Sequence, residues 1–342
     1  MKKYLPLGKL EYKLLAGLLK KYENKHDKRV VVGPRIGEDA AVIEYPDRYL
    51  VAKTDPVTFA TEEIGWYAVQ INANDIATRG AIPKWFQATI LLPENKTNSE
   101  IIDKIFYQIY TACRQLNVTV IGGHTEISYN LDRPIIVGNM LGEVAKNRLV
   151  STAGALSGDS IILTKGIIIE GTSIIAREKE SDLLKKGYDI DFIKRCQNFL
   201  YNPGLSVLQD AIVACKTEVH AMHDPTEGGI AAGLSEIAIA SQTGLLVEED
   251  KIKILEESAI ICQEYNLDPL KTIASGSLLV VVPPKKANQT INNLQKKGIK
   301  AFLIGEIKEK DFGVKIIKKG KIVDLEFSAK DEITKIFELK KV

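Results

Sequence analysis

The spacing of apolar residues divides the first half of the chain into alternating helices and strands. Leucines recur at helical spacing over 9–22, which predicts an amphipathic helix. Short β-branched runs bounded by Gly, Pro and Asp predict strands at 29–33, 40–45 and 49–55. A run rich in small and apolar residues then predicts a helix over 62–81 that Gly80 ends.

The same reading continues to the C-terminus and predicts two domains. The first half is completed by strands at 85–93, 118–123 and 134–144 and a helix at 99–116. A turn at 158–159 and a strand at 160–164 open a second block, so we expect domains at 1–150 and 151–342. The second block is predicted to hold helices at 171–178, 189–199, 204–215, 228–241, 256–265 and 285–298, and strands at 219–224, 275–283, 301–307 and 314–323. The helix between the strands at 275–283 and 301–307 gives an arrangement of the split βαβ kind, in an α/β (α+β) protein.

Composition excludes several classes of protein. With 45% apolar and 26% charged residues, the chain has the composition of a soluble globular protein. Lys plus Arg (46) nearly equals Asp plus Glu (44), so no global charge favours nucleic acid or a membrane surface. The four cysteines stand far apart without a C-x-x-C pair, which indicates reduced core residues. There is no signal-like run and no apolar run of roughly 20 residues, so we expect a cytoplasmic protein.

Polar residues stand beside glycine where apolar strands begin or end. Asp39 follows Gly37 and Glu38 in front of a predicted strand, and Asp55 closes another. Asn72 and Asp75 lie three residues apart inside an otherwise apolar helix, so they share one face of it.

Two further segments have the same character. "GGHTE" (122–126) leaves an apolar strand, and "HDPTEGG" (223–229) ends in two glycines at the start of a predicted helix. Mg²⁺ prefers carboxylate oxygens together with phosphates and water. Glycines let backbone N–H groups approach phosphate, and a helix N-terminus favours negative charge. These features together indicate a site for a phosphate compound with a metal ion.

Each residue also has a simpler interpretation. Asp39 could cap a turn, and Asp55 could begin a type I turn with Pro56. Asp75 could be a solvated helix position, and His124 could be a hydrogen-bonded histidine at a strand end. Residues 224–227 also have the pattern of a helix start, with a capping Asp followed by Pro.

Taken in order, the motifs resemble those of the aminoimidazole ribonucleotide synthetase superfamily. They are "GEDAAVI", "KTD", "NANDIATRGAIP", "GGHTE", "HDPTEGG" and "ASGSLLVVV". The superfamily includes that purine enzyme, thiamine monophosphate kinase, selenophosphate synthetase and the hydrogenase maturation protein HypE, and the motifs are most similar to those of HypE-like proteins. The resemblance spans residues 8–308.

The resemblance implies a two-domain PurM-like fold that works as a homodimer. The N-terminal sheet would form an intersubunit barrel with that of the partner, and the C-terminal domain would be α+β. The family's cofactors are ATP and Mg²⁺. The γ-phosphate of ATP is transferred to a small-molecule substrate or activates it.

The resemblance also implies roles for particular residues. Asp39, Asp55 and Asp75 would be metal ligands. The residues implied at the nucleotide are Gly37, Asn72, Gly122, Gly123, Asp224, Gly228 and Lys9. Lys9 has the equal alternative of a solvated lysine at a helix start. His124 or Glu126 would act as the catalytic base.

The chain departs from the pattern in two places. HypE proteins carry a reactive C-terminal cysteine, whereas this sequence has none after Cys262, which disfavours carbamoyl dehydration. His124 stands where the kinase and HypE have Asp, although selenophosphate synthetases also show Gly-Gly-His. Three hypotheses follow: an ATP-dependent, Mg²⁺-requiring enzyme, a non-catalytic nucleotide-binding partner in hydrogenase or metallocentre maturation, or a purely structural dimer.

Overall fold

The computed structural model describes Leu5 and residues 9–22, 27–327 and 330–337. These residues form two compact units. The N-terminal unit contains 27–33 and 39–149. The C-terminal unit contains 34–38 and 150–337, together with the residues described before 23. The first helix, α1 (Tyr12–Lys21), belongs to the C-terminal unit.

The N-terminal unit is a six-stranded sheet with two helices on one face. The strands are β1 (Val30–Val32), β2 (Ala41–Glu44), β3 (Arg48–Val57), β4 (Ile82–Pro93), β5 (Thr119–Ser128) and β6 (Ile135–Ala145). The helices are α2 (Ile64–Thr78) and α3 (Ser99–Leu116). The strand order is β1-β2-β3-β6-β4-β5, and only the β4–β5 pair is parallel.

Helix α2 is the centre of this unit's core. All of its residues are buried, and it packs on β3, β4, β6 and α3. A helix that is apolar on every side is buried on every side. Its polar residues are therefore buried too, and the interpretation of Asp75 as a solvated position is wrong, since only 3% of it is exposed.

The C-terminal unit is built on a seven-stranded sheet. Its strands are β7 (Ser160–Thr164), β8 (Ala221–His223), β9 (Gly244–Glu248), β10 (Leu279–Val282), β11 (Ala301–Lys308), β12 (Val314–Lys318) and β13 (Lys321–Asp324). Its further helices are α4 (Ile169–Glu178), α5 (Glu180–Lys185), α6 (Ile190–Gln197), α7 (Leu208–Ala214), α8 (Gly229–Ser241), α9 (Glu256–Glu264), α10 (Pro284–Gln295) and α11 (Thr334–Phe337). The strand order is β13-β12-β9-β11-β7-β10-β8, with only β9 and β12 parallel.

Two strands run past the points where the sequence suggested that they stop. Strand β3 continues through Asp55 and Pro56 to Val57, paired with β6, so the turn at Asp55 is wrong. Pro56 is tolerated because β2 pairs with β3 only as far as Ala52, so no neighbour needs a donor on that side. The "GGHTE" segment lies inside β5, where Gly122 follows a shift in the register with β4. These glycines mark a β-bulge and not a strand end.

Other boundaries in the C-terminal unit also differ from prediction. Residues 314–323 were predicted as one strand, while the lysines at 318–321 were also interpreted as a solvated hairpin; the structure has the hairpin, and its turn residues Lys319 and Gly320 have positive φ. Helix α7 begins at Leu208, and α5 and β9 were not predicted at all. Asp224 does not cap a helix, because α8 begins at Gly229 with Gly228 as its N-cap.

Two expectations from composition can be compared with the structure. All four cysteines are free thiols, three of them buried and Cys215 half-buried. None of the described helices is long and apolar enough to cross a membrane.

Candidate functional site

Three predicted acids meet in the N-terminal unit, and we call them the acid cluster: Asp39, Asp55 and Asp75. Asp39 precedes β2, Asp55 lies in β3 and Asp75 in α2. Carboxylate oxygens of Asp39 and Asp75 lie within 4.8 Å of one another. The Lys53 ammonium joins the other two, 2.9 Å from Asp75 Oδ2 and 3.5 Å from Asp55 Oδ2. The fold therefore brings together side chains from three separate segments.

Two cations balance part of this negative charge. Arg79, which is fully buried, places Nη2 3.0 Å from Asp39 Oδ2, and the Thr78 hydroxyl donates to the same oxygen at 3.1 Å. Lys53 balances part of the negative charge of Asp55 and Asp75. The sequence analysis missed both cations, although Lys53 stands two residues before Asp55 and therefore shares its face of β3.

Burial makes the cluster electrostatically unusual. The pKa of Asp75 is raised to about 7: burial raises it most, Asp39 and Asp55 also raise it, and Lys53 opposes them. Burial would lower the pKa of Lys53, but Asp75, Asp55 and Asp39 raise it well above its ordinary value. Lys53 is therefore a charged ammonium, and the carboxylates still carry negative charge in excess of it.

Asn72 is fixed beside the cluster by the same packing. Its amide nitrogen donates to the backbone oxygens of Ala68 (2.8 Å) and Asp55 (3.3 Å). Gly138, the residue opposite Asp55 on β6, leaves room for this amide, since a Cβ there would lie 2.3 Å from Asn72 Nδ2. Asn72 thus connects α2 to the strand that carries Asp55.

The donor set fits Mg²⁺. Carboxylate oxygens are its usual protein ligands, at roughly 2.1 Å, so two oxygens on one ion stand at most about 4.2 Å apart. Carboxylate oxygens of Asp39 and Asp75 lie within 4.8 Å of one another, and a group of acids with surplus negative charge around the buried Asp75 favours a cation. Asp39, Asp55 and Asp75 are the residues that would hold the ion.

The predicted catalytic pair does not lie with the acid cluster. His124 Nε2 is 3.3 Å from Glu126 Oε2, and both side chains are more than half exposed. Residues paired across neighbouring strands lie on the same face of a sheet, and one such row runs through Asp55, Gly138, Ala88 and Gly123. His124 is the next residue after Gly123 in β5, so its side chain points to the face opposite Asp55. Strand β5 is also three strands from β3, about 14 Å away.

The glycines of β5 differ from each other in their surroundings. A Cβ on Gly123 would lie 2.3 Å from the carbonyl oxygen of Ala88, so packing of the strands already requires glycine. A Cβ on Gly122 would meet nothing within 4 Å. Close approach of a phosphate at these positions stays a prediction.

The C-terminal unit gathers other predicted residues at the start of α8. The Lys9 ammonium donates to Thr226 Oγ1 at 3.0 Å. Asp224, two residues before Thr226, is almost fully buried. The Gly228 N–H donates to Asp331 Oδ2 at 2.5 Å. That N–H is therefore already satisfied within the chain.

A buried hydrogen-bond chain that the sequence did not reveal lies along α8. Glu236 accepts from Tyr12 Oη at 2.7 Å and lies 2.6 Å from His223 Nε2. Burial would raise the pKa of Glu236, but His223, Lys9 and Tyr12 lower it to about 2. Gly37 packs on the same helix, where a Cβ would lie 2.6 Å from the Glu236 carbonyl oxygen, so packing explains this glycine.

Comparison with known families gives matches over both halves of the chain. The family models described as AIR synthase related protein match residues 37–144 for the N-terminal domain and 157–317 for the C-terminal domain. A putative hydrogenase expression/formation protein of Methanocaldococcus jannaschii is 30% identical over 298 residues, which is 84% of this chain and 85% of the relative. A carbamoyl dehydratase HypE of Rhizobium leguminosarum bv. viciae is 27% identical over 303 residues, 85% of this chain and 83% of the relative.

Solved structures share the fold. A HypE–HypF complex gives a TM-score of 0.73 at 21% identity, covering 91% of this chain and 98% of the other. ThiL complexed with AMPPCP and TMP gives 0.72 at 22%, covering 94% and 96%. HypE in complex with ATP gives 0.67 at 21%, covering 94% and 91%. The predicted two-domain PurM-like fold is therefore confirmed.

Proposed function

This chain belongs to the AIR synthase related protein family, and we propose that it is an enzyme that binds ATP with Mg²⁺ and uses the γ-phosphate to activate a small substrate. The solved relatives support this, since HypE was crystallised with ATP and ThiL with AMPPCP, an ATP analogue with a methylene bridge. The observation that carries the proposal is the convergence of Asp39 and Asp55 on the buried Asp75, with Lys53 between Asp55 and Asp75.

The acid cluster would hold the metal. When bound, the divalent ion neutralises phosphate charge, which is the main requirement of phosphoryl transfer. The chain's own groups prepare the site: Arg79 fixes Asp39, Asn72 fixes the backbone at Asp55, and burial in α2 fixes Asp75. Such fixed groups need no rearrangement when the substrate arrives.

The proposal also assigns further residues to the nucleotide. Lys9 offers an ammonium, Gly122 an open backbone position and Asp224 a buried carboxylate. Gly123, Gly37 and Gly228 would be further backbone positions at which a phosphate can approach. Packing or an internal hydrogen bond already accounts for these three glycines, so they support the proposal less.

We also propose a homodimer formed through the face of the six-stranded sheet that α2 and α3 do not cover. This face carries half-buried apolar side chains, among them Leu50, Ala52, Trp85, Leu91, Val137 and Leu141. A polar row of Thr54, Asn139 and Gln87 crosses this face between the apolar side chains. A sheet face that carries many apolar side chains outside the helix layer is typical of an interface. His124 and Glu126 extend from the same face, so any role as base belongs to the dimer.

Isothermal titration with ATP tests the proposal. We expect the wild type to bind ATP tightly only when Mg²⁺ is present. Replacing Asp55→Asn should weaken this binding by more than the roughly 10- to 100-fold that loss of an outer-shell partner causes. The matched control is Asp47→Asn, an exposed acid of the same unit that pairs with Arg48 at 2.6 Å, and it should bind as the wild type does. ATP affinity that is indifferent to Mg²⁺ and to Asp55 would overturn the metal assignment.

Turnover distinguishes the enzyme from the second candidate, a nucleotide-binding partner in metallocentre maturation. That candidate is favoured by one relative's name, hydrogenase expression/formation protein, and by the structure of HypE bound to HypF. ADP release stimulated by a small acceptor, measured over a panel of phosphate-accepting and carbamoyl compounds, supports the enzyme. Tight MgATP binding without stimulated release by any acceptor supports the partner.

A further inference from the structure

The acid cluster contains a cation of its own. Lys53 lies on β3, two residues before Asp55 and on the same face of the sheet. Its ammonium is 2.9 Å from Asp75 and 3.5 Å from Asp55, and only a fifth of the side chain is exposed. It is therefore held between two of the three carboxylates that the proposed function assigns to the metal.

The charges of the cluster indicate what Lys53 does there. Arg79 is committed to Asp39, where it is fully buried, so it cannot follow a change at Asp55 or Asp75. Lys53 is a point charge on a flexible four-carbon stem, and it is the cation that is able to move. With both cations in place the three carboxylates keep at most one net negative charge, whereas a divalent ion would bring two positive ones.

An ammonium and a divalent ion cannot both contact the same oxygens without strong repulsion. An ion bonded to Asp75 at roughly 2.1 Å would stand close to an ammonium that is also in contact with that carboxylate. One of the two cations must therefore move away when the other binds. The carboxylates stay in place, since α2 holds Asp75 and Arg79 holds Asp39.

We propose that Lys53 competes with the divalent ion for Asp55 and Asp75. In the nucleotide-free protein its ammonium pairs with these two carboxylates, and when metal and triphosphate bind together it moves to pair with phosphate oxygens. This inference rests on the proposed function and adds a regulatory property to it. The free protein binds metal weakly, the nucleotide supplies the alternative partner for Lys53, and the two ligands strengthen each other's binding.

The test is a titration of Mn²⁺ followed by the electron paramagnetic resonance of the free ion, with and without ATP. In the nucleotide-free state, Lys53→Met should bind Mn²⁺ at least tenfold more tightly than the wild type. Lys53→Arg, which keeps the charge, should bind as weakly as the wild type. ATP should strengthen Mn²⁺ binding strongly in the wild type and much less in Lys53→Met. Lys104→Met, an exposed lysine on α3, is the matched control and should change nothing.

Failure of this inference can be told apart from failure of the proposed function. If the wild type binds MnATP but Lys53→Met binds nucleotide-free Mn²⁺ no more tightly, Lys53 is only a structural ion pair and the inference is overturned. If the wild type binds no MnATP, the proposed function itself fails. Lys53→Gln, which is shorter and polar, repeats the comparison and must give the same direction; circular dichroism and a thermal melt check that each variant is folded.

Discussion

Gly138 offers a sharp test of how packing positions the acid cluster. Replacing Gly138→Ala places a Cβ 2.3 Å from Asn72 Nδ2 and 2.9 Å from its Cγ, much closer than non-bonded atoms approach. The φ angle of Gly138 is not positive, so the backbone itself tolerates alanine. The perturbation is therefore steric and acts mainly on Asn72, with Phe86 Cε2 also 3.0 Å from the new Cβ.

The expected cost follows from what Asn72 would lose. Asn72 is fully buried and cannot escape to solvent, so the substitution overpacks the core, which typically costs about 1–3 kcal/mol. Moving the amide also weakens its hydrogen bonds to Ala68 and Asp55, each contributing about 1 kcal/mol. We expect a total loss of about 2–4 kcal/mol of unfolding free energy, together with weaker Mg²⁺-dependent ATP binding.

Urea denaturation followed by circular dichroism measures the stability term, and titration with MgATP measures the site. The control is Gly33→Ala in the same unit, where the nearest atom to a Cβ is 3.6 Å away and φ is not positive. It should change stability by less than about 0.5 kcal/mol. If Gly138→Ala is as stable as Gly33→Ala and binds MgATP normally, the packing account of Asn72 is wrong.

Three further changes test other contacts. Arg79→Met should cost about 3–5 kcal/mol in urea denaturation because it leaves Asp39 without its buried cation, and adding Asp39→Asn should restore part of the loss; no restoration would refute the pairing. Burial raises the pKa of Asp331 from 3.8 to about 6, so its protonation stabilises the fold at low pH and this contribution is lost as pH rises through 6. The stability of the wild type relative to Asp331→Asn should therefore fall by about 2.4 kcal/mol between pH 4 and 7, and a constant difference would contradict the burial argument. Tyr12→Phe should cost about 1.5–3 kcal/mol in a thermal or urea melt because it removes a hydrogen bond to the ionised Glu236, whereas an unchanged midpoint would mean that this bond is not formed.

The sequence was most informative where physical constraints are local. Apolar periodicity predicted α2, α3 and every strand of the N-terminal unit, and the order of the motifs predicted the fold. Local sequence patterns gave wrong predictions where pairing with a neighbouring strand determines the conformation. Asp55-Pro56 has the pattern of a turn but stays in β3, because β6 pairs with it on one side and the pairing with β2 on the other side has already ended at Ala52.

The candidate site was only partly predictable for the same reason. Asp39, Asp55 and Asp75 were identified as polar residues in apolar surroundings, and the structure brings them together. Lys53 and Arg79 were missed, because a lysine or arginine in a sequence shows no sign of the acid that it will meet. The side of the sheet that His124 faces depends on the register between β4 and β5, which a bulge shifts and which no local pattern encodes.

The most direct measurement is the anomalous scattering of Mn²⁺ in crystals grown with a non-hydrolysable ATP analogue. We expect one peak at bonding distance, roughly 2.1 Å, from carboxylate oxygens of Asp75 and at least one of Asp39 and Asp55, with phosphate oxygens completing its coordination. A nucleotide bound with its metal elsewhere, and the Lys53 ammonium still between Asp55 and Asp75, would contradict the account.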